Sequence, residues 1–464
     1  MRGVNYVVGL CRTMMVMCPM KKILVTDHYP LNKGIAAILT TALNSLQKYI
    51  PDANFTVLSY FPETTRTPFP AKVFHEILTI YPTKKPTKKL LAMGKVLLVL
   101  TTTMIWALCR RINASLADLF IKISDAEKLE ILREYAEADI VVSVGGILDP
   151  SGGSTGYGAL SQLYSIFLAK ILLKKPVVMY AYSILEKEKA HIVYKMLANF
   201  TLNKVDLITT RDKTSIENLR KLGVTKPPIY ATADPAIVLC PEKKANIEKI
   251  LTREGITKEK PLIGVTVSDF FTYYSLQYHY PGSSDPYIQH KKYMRTLAQV
   301  ADYVIDKLDA FVIFVPMEMN LAGFTVDDRP FIQKIVKMME HEENFKTILG
   351  DYTPEELEGI FAQMDLLIGT RMHSLLLAAA VYTPLIAIAY ESKVRAFMER
   401  INQRKWVCNL QGIDANEIRT MIDELWPVRR HVSRDIETQV KVLQTDALIS
   451  AKMIAKILYR QNEI

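Results

Sequence analysis

Short apolar runs recur along the chain, and nearly every one ends on a glycine or a polar side chain. The runs at 23–26, 55–60, 140–144, 177–181 and 206–210 are too short for helices and largely apolar on both faces. That is the pattern of strands buried inside a parallel sheet. Longer stretches between them, at 35–46, 125–137, 159–173 and 186–199, read as helices with one buried face. A charged stretch at 241–260 interrupts this series, which then starts afresh. Strands fall at 262–267, 310–315, 347–349 and 366–368, with helices at 291–308, 326–340 and from 353 onward. Two such series predict an α/β protein of two doubly wound, Rossmann-like domains, 20–240 and 261–425, facing each other across a cleft. Residues 1–19 read as an N-terminal extension and 241–260 as a linker. Residues 426–464 read as a C-terminal helical segment packing back on the body, with a long helix from about 433 to 461. The length of 464 residues fits this division, being too great for one ordinary core.

Turn and cap signals sharpen the picture. Asn32 and Gly34 supply a tight turn from the first strand into a helix. No G-x-G-x-x-G follows, so a dinucleotide is not supported. Val144-Gly145-Gly146 ends the strand at 140–144, and the loop 147–158 adds Gly152, Gly153, Gly156 and Gly158. Such a loop lets backbone approach a ligand closely; a plain flexible connection is the alternative. Asp212 or Thr214 caps the helix after Arg211. Thr353 and Glu356 form a capping box with Pro354 at the first helical position.

The most informative stretch is Leu366-Leu367-Ile368-Gly369-Thr370-Arg371-Met372-His373-Ser374. A buried strand ends at Gly369, and an apolar helix begins at about Ser374. Arg371 and His373 therefore sit at the carboxyl end of a strand, where ligands bind in open α/β sheets. The helix N-terminus favours an anion. Arg371 offers a planar fork for a carboxylate or phosphate, and His373 can move a proton near neutral pH. Arg211 repeats the layout in the other half, again between a strand and a helix. Pairing with a nearby acid is the bland reading of either arginine.

The net charge of +10 points to anionic partners: phosphates, acidic sugars or anionic lipid. No nucleic-acid motif or long basic arm is present. The five scattered cysteines include no CxxC pair, and the histidines no HxH or HExxH, so neither a disulfide framework nor a metal site is expected. The segment 84–111 is basic at both ends and apolar between. A membrane-surface helix, a buried or interface helix, and a true span all remain open for it.

These residues resemble the polysaccharide pyruvyl transferase family. The resemblance runs from about Lys22 to Ile401. It rests on the Asn32/Gly34 opening, Val144-Gly145-Gly146, Arg211-Asp212 with Ser215, Asp234-Pro235-Ala236, and Gly369-Thr370-Arg371-Met372-His373-Ser374 with the later Pro384 and Tyr390. Members often carry an acidic residue directly after the opening glycine, where Ile35 stands here. The resemblance implies a GT-B-like pair of domains and transfer of a pyruvyl group from phosphoenolpyruvate to a sugar or lipid-linked glycan, making a ketal. It marks His373 and Arg371 as catalytic, and Arg211, Arg371, Ser215, Gly145, Gly146, Asn32 and Ser374 as substrate-binding. No cofactor beyond the donor substrate is expected. The expected location is cytoplasmic, with peripheral contact at the inner face of the membrane through 84–111. A glycosyltransferase using a nucleotide sugar, and a non-catalytic glycan- or membrane-binding protein, are the rival readings.

Overall fold

The computed structural model describes residues 20–78, 86–122, 125–148, 156–185, 192–269, 285–319 and 327–460. The expected extension at 1–19, and Gly152 and Gly153, lie outside the described residues. The first sheet contains β1 (Lys21–His28), β2 (Ala53–Ser59), β3 (Lys72–His75), β4 (Ile140–Ser143), β5 (Ile147–Leu148), β6 (Val177–Ile184), β7 (Leu207–Thr210) and β8 (Ile229–Ala231). Their order is β3-β2-β1-β4-β6-β7-β8, with β5 beside β6. The second sheet contains β9 (Leu262–Thr266), β10 (Phe311–Phe314), β11 (Phe345–Thr347), β12 (Leu366–Gly369), β13 (Leu385–Ala389) and β14 (Val407–Asn409). Its order is β11-β10-β9-β12-β13-β14. Pairing within both sheets is parallel. Buried runs such as Val177–Ile184 and Leu385–Ala389 explain why: helices cover both faces, so no strand needs a polar side.

The helices of the first half are α1 (Lys33–Tyr49), α2 (Pro86–Arg110), α3 (Ala114–Lys122), α4 (Ala126–Glu137), α5 (Gly156–Phe167), α6 (Ile192–Leu202) and α7 (Lys213–Lys221). Helix α8 (Lys244–Arg253) occupies the expected linker. The second half adds α9 (Pro286–Leu308), α10 (Asp328–Val336), α11 (Pro354–Phe361), α12 (Met372–Ala380) and α13 (Ser392–Arg400). Helices α14 (Ala415–Ala447) and α15 (Ile449–Arg460) follow. Two cores result. One packs α1 and the C-terminal helices with the second sheet. The other packs α2 to α6 on the remaining face of the first sheet.

Several sequence expectations shift. Gly156 and Gly158 belong to α5, not to the preceding loop. Burial of Ala159, Leu163 and Ile166 outweighs the roughly 1 kcal/mol that each glycine costs a helix. The long C-terminal helix starts earlier than expected, at Ala415, runs through Pro427, and breaks at Leu448. At the break Ser450 donates its hydroxyl to Thr209 Oγ1 (2.9 Å), docking the chain end on the first sheet. Tyr459 donates to Asp52 (2.7 Å), so this end does pack back on the body. Within the segment 84–111, Pro86–Arg110 forms α2, and among the described residues no helix is long and apolar enough to cross a membrane.

Candidate active site

Strand order reverses between β1 and β4 in the first sheet and between β9 and β12 in the second. A doubly wound sheet opens a crevice at such a point, because neighbouring crossovers leave on opposite faces. The predicted residues gather at these two crevices. Gly145 and Gly146 follow β4, while Arg371 and His373 follow β12.

Arg211 leaves the end of β7 and reaches back across the first sheet. Its Nε donates to Ser183 Oγ (2.8 Å), Nη2 to the Gly146 carbonyl, and Nη1 to Asp234 Oδ2. Gly146 has φ +72°, which turns its carbonyl toward the guanidinium at no side-chain cost. Asp234 heads the 3₁₀ turn Pro235–Val238, and its Oδ1 caps that turn by accepting from Ala236 N (3.0 Å). Its other oxygen serves both Arg211 and His373: His373 Nε2 lies 3.6 Å from Asp234 Oδ2 and 3.4 Å from Arg211 Nη1. Residues from both halves thus converge on one imidazole.

Gly34 presses on the same ring. A Cβ built there would stand 2.0 Å from His373 Cγ, so only glycine lets α1 come this close. Asn32 caps α1 by accepting from Gly34 N (3.0 Å) and Ile35 N (3.3 Å), and it forms a bridge with Glu318 of the second half. Arg400 Nη1 donates to the Arg211 carbonyl (3.0 Å), a further tie between the halves.

Electrostatics follow from burial. Desolvation pushes Asp234 up, but the Arg211 guanidinium and His373 outweigh it and hold the carboxyl well below its ordinary value. Desolvation lowers His373, and Asp234 only partly offsets it, so the imidazole is neutral at neutral pH.

Arg371 sits differently from expectation. It is the N-cap residue of α12, and its Nη1 and Nη2 pair with Glu318 (2.7 Å) and Asp328 (2.7 Å). Its Nε donates to the Val267 carbonyl (3.4 Å). Burial lifts both carboxyls above their usual range, against the pull of Arg371. One guanidinium faces two acids, so this side of the site is not a bare anion clamp. Ser215 and Ser374, expected to touch substrate, have their hydroxyls tied into the fold. Ser215 Oγ accepts from Ile184 N (2.9 Å), and Ser374 Oγ meets Thr266 Oγ1 (2.6 Å) and the Arg371 carbonyl (2.7 Å). Gly145 N donates to the Tyr182 hydroxyl (3.1 Å).

Sequence reasoning assigned no role to Asp234, although it had marked the Asp-Pro-Ala motif. It also missed a buried carboxylate pair at the first crevice. Asp27, the penultimate residue of β1, has φ +72°, and its N–H donates to the Glu76 carboxylate. Asp27 Oδ2 accepts from Thr26 (2.8 Å) and Ser143 (2.6 Å). Burial raises Asp27 to about 6 and Glu76 well above its usual value, so the pair retains a proton. A charged residue at the end of an otherwise apolar strand was the only available signal. Lys393, beyond the end of β13, lies over the Tyr390 ring (5.3 Å) and pairs with Glu391 (2.7 Å). Among the described residues, no group of His, Cys, Asp and Glu could hold a metal ion.

Two facing parallel α/β sheets with polar strand ends meeting between them define the class: a two-lobed α/β fold. Solved structures share it. HepE from Anabaena, in complex with UDP and glucose, superposes with a TM-score of 0.54 at 12% identity over 96% of this chain and 100% of that one. A putative UDP-N-acetylglucosamine 2-epimerase from Listeria monocytogenes gives 0.56 at 13% identity over 96% and 98%. At such identities the likeness establishes the fold alone. The polysaccharide pyruvyl transferase model matches residues 32–392, and the chain belongs to that family. It is also similar to the amylovoran biosynthesis protein AmsJ of Erwinia amylovora, 23% identical over 435 residues, covering 90% of this chain and 96% of that protein. The chain is therefore a transferase of polysaccharide biosynthesis.

Proposed function

We propose that this protein transfers a pyruvyl group from phosphoenolpyruvate to two hydroxyls of a sugar in a cell-surface polysaccharide or its precursor, forming a ketal. It would do so in the cytoplasm. The observation that carries this reading is the meeting of Arg211, Asp234 and His373 between the halves. It joins a cation, a proton carrier and the carboxylate that orients them.

Arg211 has five N–H groups, and three are spent on Ser183, Gly146 and Asp234. The second N–H of Nη1 faces His373 Nε2 (3.4 Å), which leaves one on Nη2. That donor and the N-terminus of α12 bind the anionic donor. Arg371, clamped by Glu318 and Asp328, sets the start of α12 and thereby the position of His373.

The reaction balances as follows. A proton adds to C3 of the enol, leaving C2 electron-poor. One sugar hydroxyl forms a C–O bond at C2 and loses its proton. The C2–O bond to phosphate breaks, and phosphate departs with the electron pair. The second hydroxyl closes on C2 and loses its proton. The two hydroxyl protons end on C3 and on phosphate. Neutral His373 accepts and returns a proton along this route, a role typically worth about 10²–10⁴-fold in rate.

Release of inorganic phosphate from phosphoenolpyruvate, across a panel of sugar acceptors, is the test. Turnover with at least one acceptor is expected, falling by about 10²–10⁴-fold in His373→Ala with the melting temperature retained. Undiminished turnover in that variant removes His373 from the mechanism. No phosphate release, with a nucleotide sugar raising the melting temperature instead, rejects pyruvyl transfer.

A further inference from the structure

Helix α2 is apolar on two sides. One side, with Thr103, Trp106 and Ala107, is buried against the first half. The other leaves Leu97, Leu98, Ile105 and Leu108 between 46% and 62% exposed, at helical spacing along one stripe. The stripe continues past the end of α2 into α3 through Ile112 (91% exposed) and Leu116 (64%). On the same face of the first sheet, α6 exposes Met196 and Phe200. Water-soluble surfaces rarely leave so many large apolar side chains in one contiguous run, and a partner of matching chemistry is the usual reason.

Charge identifies that partner. Between Glu76 and Asp118 the sequence has four lysines at 84–89, then Lys95, Arg110 and Arg111, and no acidic residue at all. Asp118 itself is neutralised by Arg110 (3.3 Å) and Arg133 (2.9 Å). An apolar stripe that follows a lysine cluster, with its one acid already paired, matches an anionic bilayer: acyl chains take the stripe and headgroups take the lysines. The helix meets the limit that separates lying on a membrane from crossing it, since no described helix is long and apolar enough to span. Helix α2 also has a fixed direction. Arg111, just past its end, donates to the Leu172 carbonyl (2.9 Å), ahead of β6. The end of α2 therefore lies toward the starts of the strands.

We propose that the outer face of α2 and α3 is a docking surface for an anionic phospholipid bilayer. The inference goes beyond the transfer reaction and stands independently of it. Co-sedimentation of the full chain with phosphatidylcholine vesicles, with and without about a quarter phosphatidylglycerol, tests it. Pelleting is expected with the anionic vesicles, at least about tenfold less with the neutral ones, and progressively less as salt rises. The double variant Leu97→Glu/Leu108→Glu is expected to lose at least about tenfold in partitioning at an unchanged melting temperature, because both side chains are exposed. The variant Lys88→Glu/Lys89→Glu is expected to lose the preference for anionic lipid. Three results overturn the proposal: wild-type protein left in the supernatant with both vesicles, equal pelleting with both, or a soluble dimer that Leu97→Glu/Leu108→Glu dissociates.

Discussion

Alanine at Gly34 tests whether the approach of α1 fixes the His373 imidazole. Helix propensity favours the change, by as much as ~1 kcal/mol, because Gly34 is a residue of α1. Space opposes it. The new Cβ stands 2.0 Å from His373 Cγ, 2.2 Å from Nδ1 and 2.4 Å from Cβ. Carbon atoms rest at about 3.5–4.0 Å, so one group must retreat by roughly 1.5 Å. Rotating the ring does not relieve the clash, since His373 Cβ is itself too close. Overpacking of this kind costs about 1–3 kcal/mol, which exceeds the propensity gain. The displaced ring also leaves Asp234 and Arg211, now 3.6 Å and 3.4 Å away. Misplacing a catalytic group by 1 Å can cost on the order of 10²-fold in rate. Thermal melting and phosphate release are the assays. Gly34→Ala is expected to melt lower and turn over ~10²-fold more slowly. Gly34→Ala/His373→Gly, which removes the clashing Cβ as well as the ring, is expected to melt higher than Gly34→Ala/His373→Ala while staying inactive. Wild-type melting and turnover in Gly34→Ala would refute the steric argument, and double variants that melt alike would refute the partner.

Three further outcomes are expected. Asp234→Asn leaves the buried Arg211 without its counter-charge, a loss of about 3–5 kcal/mol by denaturant unfolding. It also removes the group that holds His373 up, so the acid limb of the pH–rate profile moves to lower pH. Glu358 is fully buried on α11, both its oxygens lack hydrogen-bond partners, and burial raises it from 4.5 to about 9. Its folded form keeps the proton that the unfolded form loses, so stability is full below pH 4.5 and falls as pH rises to about 9; the deficit is about 3 kcal/mol at pH 7. Glu358→Met should flatten that slope and raise the melting temperature at pH 8, and an unchanged slope would remove Glu358 as its cause. Finally, Glu318 and Asp328 share one guanidinium and are both raised by burial, so binding of an anionic donor nearby should take up a proton. Calorimetry in buffers of different ionisation enthalpy reads that uptake directly, and buffer-independent heats would exclude it.

The fold was legible because its strands are short, apolar and closed by glycine or polar residues. Period and punctuation place Leu366–Gly369 and the start of α12 within two residues. Arg211 and His373 were legible for the same reason: each follows a buried strand and opens a helix. What each side chain touches was not. Asp328 lies in the helix expected at 326–340 and Glu318 ahead of it, and nothing local says that they meet Arg371 across 53 and 43 residues. Asp234 was visible as a motif, but its partnership with His373 depends on how the halves face each other. Ser374, which the resemblance marked as substrate-binding, has its hydroxyl between Thr266 and the Arg371 carbonyl. Such internal partners are not written in the local sequence.

Mutual bracing explains why the site needs both halves. Each half contributes a group that the other holds in place. Gly34 of the first half confines His373 of the second, and Arg400 of the second holds the Arg211 carbonyl of the first. Lys33 N donates to the Met317 carbonyl (3.1 Å), next to the Glu318 that pairs with Arg371, so the start of α1 and the Arg371 acid cluster share one seam. The Lys33 ammonium pairs with Asp351, which Arg66 also meets (3.0 Å), extending the seam along the opening. A shift of one half would therefore move the imidazole relative to Arg211 and disturb the acid cluster at Arg371 together. Such a seam makes the spacing of cation, carboxylate and proton carrier a property of the assembled interface, because Arg211 and Asp234 come from one half and His373 from the other.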